Sequence, residues 1–412
     1  MRSIVWLVLI FTAAVVSATV LGRNDALVSI FYGEWRLDLS LNFFLLSLVA
    51  VVLLTFYALQ AASSLLSLPT RAREWRVLKR ERAAHAALRE AWVELLSARY
   101  ARAQRAAQRA LELQAEVPVL QQDLSFGVLA QLAAASGQHR LQDRRGRDER
   151  LCQALALVRE RGGNADAVQL LAAEWALDDR DPERGLALLA ELPPGVSRRT
   201  QALRLRLQAA RMQRQPLLAL QTARLLAKHQ GFSAEAARSL LRSLAVEALD
   251  QTFDLQQLEQ TWLALDATER ADAWVLARAA RKACDLGQPE QGRLWLQAGW
   301  EQIGRVEPDA RAQLALGLVH CAAGAGTDWL QRVEAALARH GHESALVAAA
   351  AVVFAERRLW GKARRPLEQT AAAEDLPAPV RRGALRRLAA LAREQGDEAL
   401  ATQHEQRAAS FD

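Results

Sequence analysis

The chain has 412 residues, of which 51% are hydrophobic and 24% charged, with a formal net charge of +7. This balance suits a folded protein and argues against an intrinsically disordered chain. Alanine, leucine, arginine, glutamine and glutamate dominate after residue 70, where β-branched residues are scarce. That mixture favours helix, and we predict an all-α fold.

The first element is an uncharged run of nineteen residues, Ser3–Leu21. A secretory signal peptide is one interpretation, because Arg2 supplies a positive n-region and Val16-Ser17-Ala18 resembles a cleavage site. The apolar run is longer than a usual signal-peptide core, and a second apolar run follows closely. We therefore predict an uncleaved membrane helix over about 3–21.

The second run, Leu39–Leu68, has thirty residues without a charge. A transmembrane helix needs roughly 20 apolar residues. A buried core helix is the alternative, but core helices are rarely this long or followed at once by basic residues. We predict a second membrane helix over about 41–66.

A basic segment follows this run. Residues 71–109 hold eleven Lys and Arg against four acids, an excess equal to the net charge of the whole chain. Nucleic acid is one candidate partner, but a basic segment next to a membrane helix favours anionic lipid. We predict no nucleic-acid binding, and assign membrane-surface contact to Arg71, Arg73, Arg76, Lys79, Arg80 and Arg82.

The charges also predict an orientation. The loop Gly22–Asp38 is short and not basic, whereas the segment after Leu68 is strongly basic. By the positive-inside rule the loop lies outside, and both termini lie in the cytoplasm. Pro69 is expected to break the second membrane helix or mark its exit. The predicted domains are a two-helix anchor (1–69), a basic helical region with the first repeat (70–116) and a repeat domain (117–412).

The body of the chain has a period of roughly 34–38 residues. Helix breakers recur between stretches of about a dozen residues that have apolar positions at helical spacing. This pattern is typical of an α-solenoid built from helix pairs of the tetratricopeptide type. The breakers are Pro182, Pro216, Gln251, Gly287, Ala325, Trp360 and Gly396.

Small and apolar residues within the units predict where paired helices approach each other. Residues 136–150 (SGQHRLQDRRGRDER) are instead interpreted as an irregular charged insertion. The predicted packing residues are Ala103, Ala107, Ala349, Ala350, Phe354, Trp360, Gly361, Ala363, Leu367 and Ala399.

No catalytic motif stands out, and we predict that the chain is not an enzyme. The pair His320-Cys321 holds two haem-ligand residue types, but adjacent helical residues point about 100° apart and cannot share one metal. His340 and His342 are expected at a surface turn, and no metal site is predicted. Cys152, Cys284 and Cys321 are odd in number and dispersed, which does not describe a disulfide framework and fits a reducing compartment.

The sequence resembles a known family. The stretches SIFYGEWRLDLSLNFFLL, LPTRAREWR, ALREAWVELLSARYARAQRAAQRAL and LWGKARRPLE are similar to the proteobacterial HemY proteins. The resemblance covers nearly the whole chain and is strongest in residues 20–112 and 344–402. It implies a bacterial inner-membrane protein with cytoplasmic tetratricopeptide-like repeats, associated with late haem synthesis.

Two functions are compatible with this resemblance. The chain is expected to be a scaffold or regulator that holds enzymes of late haem biosynthesis at the inner membrane. The alternative is a carrier that moves haem or porphyrin between those enzymes, in which case Arg144, Arg145 and Arg147 could hold tetrapyrrole carboxylates. A resident cofactor is not expected.

Overall fold

The computed structural model describes residues 26–163 and 165–411, without the side chains of residues 62–72. The described chain is mostly helical, as predicted, but it begins with a β-hairpin that the all-α prediction lacked. The predicted first membrane helix, about 3–21, lies outside the described residues. Two compact units are present, one ending at Arg161 and the other running from Gly162 to Asp412.

Strands β1 (Leu27–Tyr32) and β2 (Trp35–Ser40) pair antiparallel, with Val28 opposite Leu39 and Tyr32 opposite Trp35. The two-residue loop begins with Gly33 at φ 63°, a left-handed conformation that glycine adopts without strain. Alternating side chains and this glycine explain the hairpin.

Helix α1 (Leu41–Leu96) follows β2 directly and is unbroken over 56 residues. The expectation that Pro69 breaks it is wrong. A proline removes one N–H donor, and the other hydrogen bonds of a long helix can continue on both sides of it. Within the described residues one stretch is long and apolar enough to cross a membrane, Leu41–Ala61, and none of it is buried.

The rest of the first unit consists of helices packed in order on α1. Helix α1 packs on α2, and α2 packs on α4, which pairs with α5. Residues 136–150 are therefore not an irregular insertion, because they form the end of α4, a three-residue turn and the start of α5. The helices are α2 (Tyr100–Glu116), the short α3 (Pro118–Gln122), α4 (Leu124–Arg140) and α5 (Arg144–Arg161).

The second unit is a series of helix pairs, and in most of them the first helix packs on its partner and on the first helix of the next pair. One apolar core runs continuously through it from Leu203 to Ala408. The pairs are α6 (Asp166–Asp178) with α7 (Pro182–Ala190); α9 (Thr200–Met212) with α10 (Pro216–Lys228); α11 (Ala234–Asp250) with α12 (Leu255–Ala264); α14 (Ala273–Asp285) with α15 (Pro289–Glu301); α16 (Pro308–His320) with α17 (Thr327–His340); α18 (Ser344–Glu356) with α19 (Trp360–Ala372); and α20 (Ala378–Glu394) with α21 (Glu398–Ala409). Short helices α8 (Pro194–Ser197) and α13 (Ala267–Arg270) lie between pairs.

The predicted breakers all lie at the turn inside a pair or at the first residue of the helix that follows it. Several three-residue turns in both units share one geometry, in which the middle residue has a positive φ and the next N–H bonds back to a carbonyl five residues earlier. This is the Schellman ending of a helix, which reverses the chain in three residues. The middle residues are Ala98, Gln142, Arg180, Arg214, Gly287, Arg358 and Gly396.

The fifth residue after each of these turn residues is buried at the helix–helix contact. It is small in most pairs, as at Ala103, Ala219 and Ala363, because two backbones approach there. By this count the last pair uses Ala401, which is fully buried, and the predicted Ala399 is exposed. The prediction for Ala399 is therefore corrected by two residues.

Candidate functional site: a membrane helix with its hairpin, and an open groove

The described structure offers two candidate sites, one in each unit. In the first unit α1 joins the apolar stretch to the first helix pair without a loop. Ala84, Ala87 and Ala91 of α1 are buried, and Ala103 and Ala107 of α2 are fully buried. These alanines allow α1 and α2 to pack closely, so the apolar stretch is a rigid extension of the first pair.

The predicted membrane-surface residues lie along α1 beyond the apolar stretch. Arg73, Arg76, Lys79, Arg80 and Arg82 are exposed, and the side chain of Arg71 lies outside the described part. The Nζ atom of Lys79 lies 5.1 Å from the ring centre of Trp75, and Arg80 pairs with Glu116 at 3.3 Å. These contacts are at the surface, so the segment presents positive charge to its surroundings.

Distances along α1 divide this basic segment into two halves. Residues 41–68 span about 42 Å at 1.5 Å per residue, close to the full bilayer thickness of about 40–45 Å. If residues 41–68 cross a bilayer upright, Arg71 and Arg73 lie about 5–8 Å beyond its edge and Arg82 about 21 Å beyond it. The screening length in physiological salt is about 8 Å, so an anionic surface at that edge would act mainly on the first half of the segment.

The hairpin before α1 has two different faces. The register places Val28, Ile30, Tyr32, Trp35, Leu37 and Leu39 on one face. The opposite face carries a polar group in which the Ser29 hydroxyl donates to the Asp38 carboxylate and Arg36 Nε donates to it at 3.1 Å. The hydrogen bond from Ser29, together with Arg36, lowers the pKa of Asp38 below its usual value, so this carboxylate stays charged at neutral pH.

The second candidate site is an open groove between α9 and α11. Leu207, Met212 and Phe232 supply its apolar lining, and Arg204 and Arg211 supply positive charge. Its volume is about 540 Å³, and Gln208 and Glu247 complete it. Arg204 Nη2 donates to the Gly231 carbonyl at 3.4 Å, which fixes one edge. An apolar floor with two arginines suits an acidic or amphipathic peptide.

Arginines also join neighbouring repeats in the second unit. Arg311 is buried, and its Nε lies 2.9 Å from both carboxylate oxygens of Glu343. Its Nη1 donates to the Ile303 carbonyl at 3.1 Å and lies 3.3 Å from His340 Nε2. Arg242 pairs with Asp272 at 2.7 Å in the same way. These contacts join α11 to the start of α14, and α16 to the start of α18.

The cysteines differ from the sequence-based expectation. Cys284 and Cys321 form a disulfide between α14 and the end of α16, with Cα atoms 5.8 Å apart. Sequence reasoning missed the bond because the two residues are 37 apart and only the stacking of neighbouring pairs brings them together. Cys152 is free and exposed.

The histidines and arginines considered for metal or tetrapyrrole binding have structural partners. His320 Nε2 lies 2.7 Å from Asp285 Oδ1, and His340 contacts Arg311. Arg147 is buried and contacts Asp148 and His139, so it cannot reach a ligand's carboxylate at the surface. Arg144 and Arg145 are exposed. The part of the chain that the structure describes contains no cluster of three or more metal-ligand side chains.

The predicted packing residues are divided between core and surface. Ala349, Ala350, Ala363 and Leu367 are fully buried, Phe354 is nearly so, and Trp360 is half-buried. Gly361 is exposed, and a Cβ added to it would meet no atom within 4 Å, so it takes no part in close packing. Its neighbour Ala363 makes the close approach instead.

Taken together, an unburied apolar helix fused to stacked helix pairs defines a membrane-associated helical-repeat protein. Residues 27–137 match the family model described as the HemY protein N-terminus. This part of the chain therefore carries a HemY N-terminal domain, which confirms the resemblance seen in the sequence.

Other comparisons add little. No curated protein matches the chain. Among solved structures, the chain is similar to one titled "Structure of Naa15/Naa10 bound to HypK-THB", with 12% identity and a TM-score of 0.23. That alignment covers 76% of this chain and 56% of the other, so the chain spans little more than half of its length. A likeness this slight has no bearing on function.

Proposed function

We propose that the chain is a membrane-anchored scaffold or regulator that holds enzymes of late haem biosynthesis at the cytoplasmic face of the bacterial inner membrane. The observation that carries the proposal is the unbroken α1 helix, Leu41–Leu96, which is apolar at one end and packed into the first helix pair at the other. The haem pathway is supported by the match of residues 27–137 to the family model of the HemY N-terminus. The proposed action is non-catalytic: partners confined to one surface meet more often, without new chemistry.

The groove on the second unit is the proposed contact with a partner. Replacing Arg204 and Arg211 together with glutamate reverses the charge beside an apolar floor while leaving the core of α9 intact. We expect this variant, extracted from membranes in mild detergent, to lose the pathway enzymes that the wild-type chain captures. Like charges placed at an interface weaken association.

Arg206→Glu is the matched control for that experiment. Arg206 is exposed on the same helix but does not line the groove. Equal loss of partners from both variants, or from neither, would contradict the assignment. A Soret absorption band that saturates at one equivalent in the purified wild-type chain would favour the haem or porphyrin carrier instead.

The membrane pose is the second part of the proposal: two spans, cytoplasmic termini and anionic lipid at the basic segment. A reporter fused after Asp412 is expected to be cytoplasmic, and one inserted near Ala26 periplasmic. Full-length protein in mild detergent is expected to retain anionic phospholipid, measured by mass spectrometry, and to release it in high salt.

Charge-neutral variants test the lipid contact. Glutamine at Arg71, Arg73 and Arg76 should remove most of the retained anionic lipid, because these residues lie nearest the bilayer. Glutamine at Lys79, Arg80 and Arg82 is the matched control and should remove much less. Equal losses would refute the upright placement, and export of the fusion after Asp412 would refute the orientation.

A further inference from the structure

The hairpin before the membrane helix has an apolar face that the described part of the chain covers only at its base, where Val28 and Leu39 are half-buried. Tyr32 and Trp35 are 84% and 80% exposed, and Leu37 is 56% exposed. An isolated two-stranded hairpin is at best marginally stable in water, and three or more strands or a packed face are usually needed. This hairpin therefore needs a surface against its apolar face.

Continuity with the membrane helix identifies that surface. Helix α1 begins at Leu41, the residue after β2, and the Leu41 N–H donates to the Ala26 carbonyl at 3.0 Å. This bond ties the base of the hairpin to the first turn of the apolar stretch. The hairpin consequently starts at the edge of the bilayer, and its six-residue strands reach about 20 Å from there.

The chemistry of the two faces fits the layer between water and hydrocarbon. Tyr and Trp are enriched at this interface, where their rings meet lipid and their polar groups meet water. The opposite face holds the Ser29–Asp38–Arg36 group, and the Arg36 guanidinium lies 5.6 Å from the centre of the Phe31 ring. In a hairpin that lies flat, the face with Tyr32 and Trp35 meets lipid, and the face with the Ser29–Asp38–Arg36 group meets water.

We infer that the hairpin lies flat on the bilayer surface at which the membrane helix begins, with Val28, Ile30, Tyr32, Trp35, Leu37 and Leu39 in the lipid interface and the charged face in water. It forms a second, interfacial contact of this chain with lipid, beside the spanning helix. The inference goes beyond the proposed function, because it requires the membrane helix and neither the haem-pathway partners nor the cytoplasmic location of the repeats.

Site-directed spin labelling of the full-length chain in lipid nanodiscs tests this placement. The exposed Cys152 is first replaced by serine, and this parent chain is labelled in parallel so that any signal from Cys284 and Cys321 can be subtracted. Single labels are then placed at Trp35→Cys and Arg36→Cys, neighbours in sequence that lie on opposite faces. Leu37→Cys repeats the apolar-face measurement with both aromatic residues intact.

Labels at positions 35 and 37 are expected to collide with oxygen, which concentrates in lipid, severalfold more often than with a water-soluble nickel complex. The label at position 36 should show the reverse preference. Equal preference for the nickel complex at all three positions would overturn the inference. Protection of 35 and 37 from both reagents would also overturn it, and dipolar broadening between labels would then identify a second copy as the cover.

Discussion

Replacing Arg311 with methionine is expected to lower the free energy of unfolding of the second unit by about 3–5 kcal/mol, as for other buried pairs that lose one partner. The substitution leaves the Glu343 carboxylate, whose side chain is 16% exposed, without its guanidinium. It also removes the donor to the Ile303 carbonyl. The loss should appear in denaturant unfolding and as faster hydrogen exchange in α16 and α18.

Two further variants separate the ion pair from simple loss of a long side chain. Arg311→Met combined with Glu343→Leu should recover much of the lost stability, because no unpaired charge remains buried. Arg364→Met removes an exposed pair with Glu368 and should cost at most about 1 kcal/mol. The explanation fails if the double variant is no more stable than Arg311→Met.

Reducing the disulfide between Cys284 and Cys321 is expected to be the other large perturbation. A bond that closes a loop of this length restricts the unfolded chain by up to about 4 kcal/mol in the chain-entropy account. Unfolding in denaturant with and without reductant measures the difference. Replacing both cysteines with serine should lower stability similarly and abolish the response to reductant.

Cys152→Ser is the control for this experiment, because Cys152 is unbonded and should leave the response unchanged. A wild-type chain equally stable with and without reductant would contradict the prediction. The result bears on location as well. Cytoplasmic reductants keep most thiols reduced, so on the proposed side of the membrane the pair is expected to be open during growth and to close under oxidation.

The repeat architecture was predictable from sequence because each helix pair is a local unit with its own turn. Breakers such as Pro182 and Gly396 mark these turns directly, and the intervals between them gave the period. The apolar stretch of α1 was equally plain, since its length and lack of charge exceed what a core helix usually shows. Both signals are contained within a few dozen consecutive residues.

Other features could not be predicted, because they depend on contacts between distant residues or on a short pattern that lies next to a stronger one. The alternation around Gly33 that forms the hairpin covers only six residues on each side and adjoins a stronger helical pattern, so it does not by itself predict strands. The buried Arg147 stands where most pairs have a small residue, and sequence alone made its segment look like a loop. The pairing of Cys284 with Cys321, and of Arg311 with Glu343, exists only once neighbouring pairs stack.

Because α1 is unbroken, the thickness of the membrane is expected to affect where the first helix pair is held. A hydrophobic helix longer than the hydrocarbon layer relieves the mismatch by tilting. Because Pro69 does not interrupt α1, any tilt is carried undiminished to Leu96, about 42 Å beyond Leu68. A change of about 10° would move that end sideways by about 7 Å, and the first helix pair with it. Bilayers of different thickness would therefore hold the first pair at different positions above their surface.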